Sequence, residues 1–363
     1  MKLLMVTPRY FPEIGGVEYY AQAVCRFMHK SGVDVAVFAT DASGKLSEYE
    51  VIDGLPVSRF RSLSPNEIYD FSPGLLEALM RVKDYDIVHA LDYQSFPVLA
   101  AAIAKKINRT RCVITPHLGF FKVGMPLHLL YSRIGSFIIR QMEAVIITSQ
   151  DEITTFRNLG IRVGRKTVYI PNGVDPEFYE IRRGSPNKKL LFVGRLEKYK
   201  GVQKILSALR DIRDDEVELL VVGDGPYRTN LEHLTRRLGL SDRVFFLGKR
   251  HGVELLKAYA ECSVFALPSS YESLPLSVLQ ALASGMPVIS TPIGGLSKFL
   301  FDGENGFIIE NSENNASLVK AISDLLTDES RWRSFSSRAR QRVLSLSWDN
   351  ISKRILDLYA RIL

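Results

Sequence analysis

The chain has 363 residues, 46% of them hydrophobic and 24% charged, and a formal net charge of +7. This composition excludes a disordered chain and gives enough apolar material for two domains of ordinary size. The positive excess favours anionic partners, but it is spread at +4 over residues 1–170 and +3 over the remainder, and no zinc-finger or other recognition motif accompanies it, so no nucleic-acid partner is expected.

Cys25, Cys112 and Cys262 are odd in number, widely separated and lack metal-ligand spacing, which points to buried thiols in a reducing compartment and to no zinc site. The opening "MKLLMVTPRYFPEIGG" has too short an apolar core for a signal peptide and reads as a first strand. Residues 273–297 carry no charge, but Pro275, Gly285, Pro287 and Pro292 break them into several elements, so no transmembrane segment is expected.

In chain order, strand "LLMVT" leads through a glycine turn to a helix from about Val17 to Lys30, then strand "DVAVFAT" and a looser polar section. Next come "IVHA", a helix through "FPVLAAAIAKK", strand "CVITP", a longer amphipathic region and strand "AVIITS". The alternation predicts a parallel sheet wrapped by helices over 1–170. A polar passage with Pro and Gly (171–188) reads as a linker. The rhythm restarts over 189–346 with "LLFVG", a helix from about Val202, "VELLVVG", a helix through "RTNLEHLTRRLG", "VFFLG", a helix near "VELLKAYAE", "VFALPS", a helix from Pro275 and "PVIST". The segment from about Asn314 is helical, and a last helix, 347–363, beginning near Trp348, is expected to rejoin the first domain. Two doubly wound α/β domains place their ligands beyond the C-terminal strand ends, with a cleft between them as the default site.

Several strand ends carry chemistry. In "EIGGVE", Gly15 and Gly16 open a helix and permit close backbone approach to an anion or a hydroxyl-rich sugar, although a plain βα turn has the same pattern. In "VGRLEKYKG", Arg195 and Lys200 flank a short loop before a helix, where two fixed cations could hold a pyrophosphate without a metal; Lys198 fits a solvated surface cation better. "VVGDGP" adds Gly223 and Gly225, a weak signal taken singly. In "PSSYESLPLSVLQALASG", Glu272 lies in a turn, Pro275 suits the first helical position, and Leu276 and Gln280 lie on the helix that follows. A carboxylate there can accept from two hydroxyls of one ligand, and Gln280, on the order of 7 to 8 Å along the helix, can reach another part of it; a plain helix N-terminal acid is the alternative.

"GGVE", "IPNGVD", "GRLEKYKG", "VGDGP", "PSSYESLPLSVLQALASG" and "GENGF", spread over nearly the whole chain, resemble the large retaining GT-B glycosyltransferase family 4. The resemblance implies two Rossmann-like domains facing across a cleft and transfer of a sugar from a nucleotide-sugar donor, UDP- or GDP-linked, with no other cofactor and no metal. It implies that Arg195 and Lys200 grip the donor pyrophosphate, Glu272 contacts the donor sugar, and Gly16 lies near phosphate and sugar. It also implies that His117, in "TPHLGF", binds near the sugar or its 6-position; His89, in "IVHALD", is a weaker candidate. Two departures stand out. The family's second glutamate, eight positions after the first, is Gln280 here, and Ser297 and Lys298 stand where relatives carry Pro-Glu. An amide still accepts, but charge-assisted bonds are roughly twice as strong.

The pair Asp84 and Asp86 in "DYD" resembles the metal-binding acids of the other major glycosyltransferase fold, yet alternation into strand "IVHA" separates the two acids or leaves Asp84 in a loop. On the acceptor side, "LGFFKVGMPLHLLYSRIGSFIIR" with Lys122, Arg133 and Arg140 reads either as a core-facing helix or as a basic amphipathic contact with an anionic membrane. The acceptor expected is a glycan or lipid-linked glycan, and the setting is cytoplasmic with a candidate peripheral contact on the inner membrane face. A non-catalytic GT-B partner subunit is the rival suggested by Gln280 and Lys298; intact Arg195, Lys200, Glu272 and His117 argue against it.

Overall fold

The computed structural model describes residues 1–13, 15–63, 70–118, 126–310 and 315–363, with 126–133 described by their backbone. The first elements are β1 (Lys2–Thr7), α1 (Gly16–Lys30), β2 (Asp34–Asp41), β3 (Tyr49–Ile52), β4 (Leu55–Arg61), α2 (Pro73–Arg81), β5 (Ile87–Leu91) and α3 (Phe96–Asn108). They are followed by β6 (Arg111–Thr115), α4 (Pro126–Gln141), β7 (Ala144–Ile147), α5 (Asp151–Asn158), β8 (Thr167–Tyr169) and α6 (Pro176–Glu180). Then come β9 (Lys189–Val193), α7 (Val202–Asp211), β10 (Glu218–Val222), α8 (Arg228–Arg237), β11 (Val244–Gly248), α9 (Gly252–Glu261), β12 (Val264–Leu267) and α10 (Leu276–Ala283). The chain closes with β13 (Val288–Ser290), β14 (Gly306–Ile308), α11 (Ala316–Thr327), α12 (Glu329–Val343) and α13 (Trp348–Ile362).

The chain divides into two units, Met1–Gly173 with Trp348–Leu363, and Val174–Ser347. The first holds a sheet of order β3-β4-β2-β1-β5-β6-β7-β8, parallel except for the β3–β4 pair. The second holds a fully parallel sheet of order β11-β10-β9-β12-β13-β14. Both are doubly wound. β5 and β7 are buried along their whole length, as expected of parallel strands covered on both faces, and this is why they read as unbroken apolar runs. The polar section after β2 holds β3, β4 and α2; the β3–β4 edge is half exposed and carries little apolar signal.

The strand order reverses between β1 and β5 in one sheet and between β9 and β12 in the other. At such a point the loops leaving two adjacent strands run to opposite faces and leave a crevice at the strand ends. In the second unit these are the loops after β9 and β12, which carry Arg195, Lys200 and Glu272.

The last helix belongs to the first unit. The Tyr359 hydroxyl lies 2.6 Å from His89 Nδ1, Trp348 meets the Tyr20 ring edge-on at 5.6 Å, and a Cβ on Gly173 would stand 2.4 Å from the Trp348 ring. All three cysteines are free and buried, and burial pushes the Cys112 and Cys262 thiols up to about 12. Among the described residues no helix is long and apolar enough to cross a membrane. Lys122 and the Arg133 side chain lie outside the described residues; Arg140 is exposed near the end of α4.

Candidate functional site

In the second unit the structure brings Lys200 and Glu272 together across 72 positions of sequence. Lys200 Nζ donates to Glu272 Oε1 at 2.5 Å, with side chains only 15% and 12% exposed. Ser269 Oγ donates to the same oxygen at 3.0 Å, leaving Oε2 unclaimed among the described residues. Burial would lower the Lys200 pKa, but Glu272, with Tyr199 and Glu197, together more than offset it, so the net shift is upward and the amine stays a cation. The ammonium also lies 5.4 Å from the centre of the Tyr199 ring. Two of its three N–H groups have no partner among the described residues.

Backbone packing sets this geometry. Gly201 has φ +82°, and a Cβ there would stand 2.2 Å from Pro268 O, so only glycine lets the loop after β9 close on the loop after β12. Gly294 has φ +51°, with its Cβ position 1.9 Å from Ser273 O and 2.4 Å from Glu272 O; Gly295 N donates to Ser273 O at 2.7 Å. The loop bearing exposed Ser297 and Lys298 therefore lies against the Glu272 turn. Gly223 and Gly225 have a similar structural reason: their Cβ positions fall 1.9 Å from Gly194 O and 2.5 Å from Leu196 O. Their requirement for glycine comes from the packing of the loops after β9 and β10 on each other.

Arg195 is about half exposed, with Nε 3.3 Å from Glu197 Oε1. Its charge, with those of Lys200, Glu272 and Glu197, acts on the Tyr199 hydroxyl, so these groups share one neighbourhood. Leu276, partly exposed, begins α10. Gln280 is 5% exposed and its Oε1 faces the Tyr259 hydroxyl at 3.1 Å, so the amide acceptor is engaged inside the domain. Ser269, Tyr199 and Gly294 escaped the sequence reading; the glycines after β13 were the one available signal.

In the first unit Gly15 precedes α1, and its Cβ position is occupied by the Glu18 carboxylate at 2.4 Å, whereas nothing stands within 4 Å of a Cβ on Gly16. Glu18 is buried and pairs with Arg9 at 2.8 Å. His117 follows β6 with φ +45°, an uncommon backbone for a non-glycine residue. Its ring meets Tyr20 edge-on at 4.7 Å, and its Nε2 is screened from solvent without a hydrogen-bond partner among the described residues. Burial lowers its pKa to about 3, so the imidazole is neutral. Asp92, after β5, is a second positive-φ residue at a strand end, and burial raises its carboxyl to about 6.

His89 is a core residue. It is 0% exposed, with Nδ1 on Tyr359 and Nε2 2.8 Å from Thr115 Oγ1, and burial, then the neighbouring His117, lower its pKa to about 3. The acids of "DYD" sit at the opposite end of the sheet from these loops, for Asp86 Oδ2 accepts from Lys2 N, at the start of β1, at 2.7 Å. Among the described residues no group of three or more His, Cys, Asp or Glu side chains could hold a metal ion.

Known proteins share this architecture over almost the full chain. Residues 14–178 match Glycosyltransferase Family 4 and residues 176–342 match Glycosyl transferases group 1. An uncharacterised glycosyltransferase of Methanocaldococcus jannaschii is 27% identical, covering 99% of this chain and 98% of that protein. Among solved structures, sucrose-phosphate synthase from Thermosynechococcus elongatus superposes with a TM-score of 0.83 at 21% identity, covering 99% of this chain and 98% of its own. HepE from Anabaena, solved in complex with UDP and glucose, superposes with a TM-score of 0.81 at 23% identity, covering 99% and 100%. The chain belongs to the group 1, family 4 glycosyltransferases and has their GT-B fold.

Proposed function

We propose that this enzyme is a retaining, metal-independent glycosyltransferase that moves a sugar from a nucleoside-diphosphate donor to a hydroxyl of a glycan or lipid-linked glycan. The observation that carries this reading is the buried Lys200–Glu272 pair. The cation keeps two N–H groups for phosphate oxygens, and the carboxylate keeps Oε2 for sugar hydroxyls. The Anabaena neighbour's complex with UDP and glucose supports a UDP-sugar as donor.

As the bond from the anomeric carbon to the phosphate oxygen breaks, negative charge develops on the diphosphate. Lys200 and Arg195 are assigned to stabilise it, a role that fixed cations fill without a divalent ion. The acceptor hydroxyl attacks the same face of an oxocarbenium-like centre, its oxygen bonding to the anomeric carbon and its proton passing to the departing phosphate. His117, neutral and held in a strained backbone, is assigned to the sugar, and Gly16, open on its Cβ side, to the phosphate and sugar. Gly223 and Gly225 shape the donor loops, while Leu276 and Gln280 border the nucleotide. The setting is cytoplasmic, and the basic run with Lys122, Arg133 and Arg140 supports a peripheral contact on the inner membrane face.

A panel of UDP- and GDP-sugars tests the reading by thermal shift and by transfer in the presence of EDTA. Binding of one nucleotide sugar, and loss of transfer in Glu272→Ala, are expected. Transfer that requires added divalent ion overturns metal independence, and unchanged biological activity in Glu272→Ala overturns the catalytic assignment in favour of a partner subunit. Anomeric configuration of the product by NMR tests retention.

A further inference from the structure

A second cluster of positive charge in the C-terminal domain lies apart from the Lys200–Glu272 pair. Arg183, after α6, donates through Nε to Ser284 O at 2.8 Å, through NH1 to Cys262 O at 2.5 Å, and through NH2 to Tyr259 O at 2.7 Å and Ser284 Oγ at 2.9 Å. Arg340, on α12, donates through NH2 to Ile181 O at 2.5 Å and Ser284 O at 3.3 Å. Several of these carbonyls end helices α9 and α10, where positive charge is favoured. Two helix ends, each worth roughly half an elementary charge, do not neutralise two full cations. Among the described residues neither guanidinium has a carboxylate partner. Burial, with the adjacent charge of Arg340, holds the Arg183 pKa down at about 10.

These guanidiniums line a cavity of about 410 Å³ whose wall also includes Trp332, Arg333, Ser336 and Ser337 and no acidic residue. Arg340 Nε and NH1 and the hydroxyls of Ser336 and Ser337 have no partner among the described residues, so donors without an acceptor converge on a cationic hollow. Arg333 contributes less, because Glu329 pairs with it at 2.6 Å. The cavity lies beyond the C-terminal end of α10, whereas Glu272 precedes its start, a helix length of about 12 Å away.

We propose that this cavity is a binding site for a small phosphate-bearing anion, either free phosphate or the phosphomonoester of a sugar. Guanidinium forks match phosphate oxygens, serine hydroxyls complete their coordination, and a cavity of about 410 Å³ has room for a sugar ring.

Calorimetric titration of the full chain with inorganic phosphate, a hexose 6-phosphate and the unphosphorylated hexose tests this. Ser336→Glu places a carboxylate four residues before Arg340 on α12, a helix-supporting arrangement, so the variant is expected to fold while its charge competes with the ligand. Ser336→Gln controls for size. The expected result is phosphate binding that falls about tenfold or more in Ser336→Glu and much less in Ser336→Gln, with UDP affinity unchanged. A hexose 6-phosphate binding about tenfold tighter than phosphate identifies the sugar phosphate as the source, and equal affinities identify free phosphate. Absence of binding at about 10 mM, affinity undiminished in Ser336→Glu, or equal binding of the unphosphorylated hexose would overturn the proposal.

Discussion

Cutting the Lys200–Glu272 pair on one side should cost far more than removing it whole. The two side chains are 15% and 12% exposed and 2.5 Å apart, so Lys200→Met strands a carboxylate with only Ser269 as donor, and Glu272→Leu strands a buried ammonium. Breaking one side of a buried pair typically costs about 3 to 5 kcal/mol, whereas replacing both charges with apolar groups is often near neutral. Urea unfolding at pH 7 should show each single variant destabilised by about 3 kcal/mol and Lys200→Met/Glu272→Leu close to the parent. UDP titration separates structure from function, because the double variant should be stable and yet bind UDP about a hundredfold more weakly, in line with lost charge-assisted phosphate contacts. The pH sign follows from the raised Lys200 pKa: the pair's contribution is complete below the ordinary lysine value and is lost only as pH rises through the folded value. Additive single effects, or a double variant with parental UDP affinity, would refute this account.

Gly294→Ala should destabilise by about 2 kcal/mol or more and weaken donor binding, since it adds a Cβ at φ +51° only 1.9 Å from Ser273 O and so displaces the Glu272 turn; unfolding and UDP titration measure both effects. His89 and His117 have folded pKa values of about 3, below the unfolded value, so the unfolded chain takes up protons first. Stability should be full above about pH 6.5 and fall towards pH 3 by about 1.4 kcal/mol per unit for each histidine, a slope that His89→Gln should reduce by roughly half in pH-dependent unfolding. Tyr359→Phe removes the hydroxyl at His89 Nδ1 in a fully buried setting and should cost about 1 to 3 kcal/mol in the same unfolding assay.

The alternation of strands and helices was legible in the residues because parallel strands covered on both faces must be continuously apolar, as β5 and β7 are. Strand-end loops were legible through their glycines and prolines, which announce backbone conformations that other residues resist. The β3–β4 edge was missed because its residues are half exposed and mixed in polarity. Residue type alone was ambiguous wherever a side chain's meaning depends on its neighbours. His89 lies within apolar β5 and His117 just beyond the end of β6, yet one has two hydrogen-bond partners in the core while the other keeps a screened Nε2 without one among the described residues.

By itself the sequence determined the fold class and the family, and it marked out the strand-end loops to which donor chemistry is assigned here as a proposal, since propensity, apolar periodicity and turn residues act over a few neighbouring positions. Only tertiary structure decided that Lys200 and Glu272 share a proton-bearing contact, that Gly223 and Gly225 make room for backbone, and that Arg183 and Arg340 converge on a cavity without acids. The first two relations arise from strand order, which makes neighbours of loops 72 and 29 residues apart in sequence, and the third from the packing of α12 beside α10; local patterns carry no record of such distances.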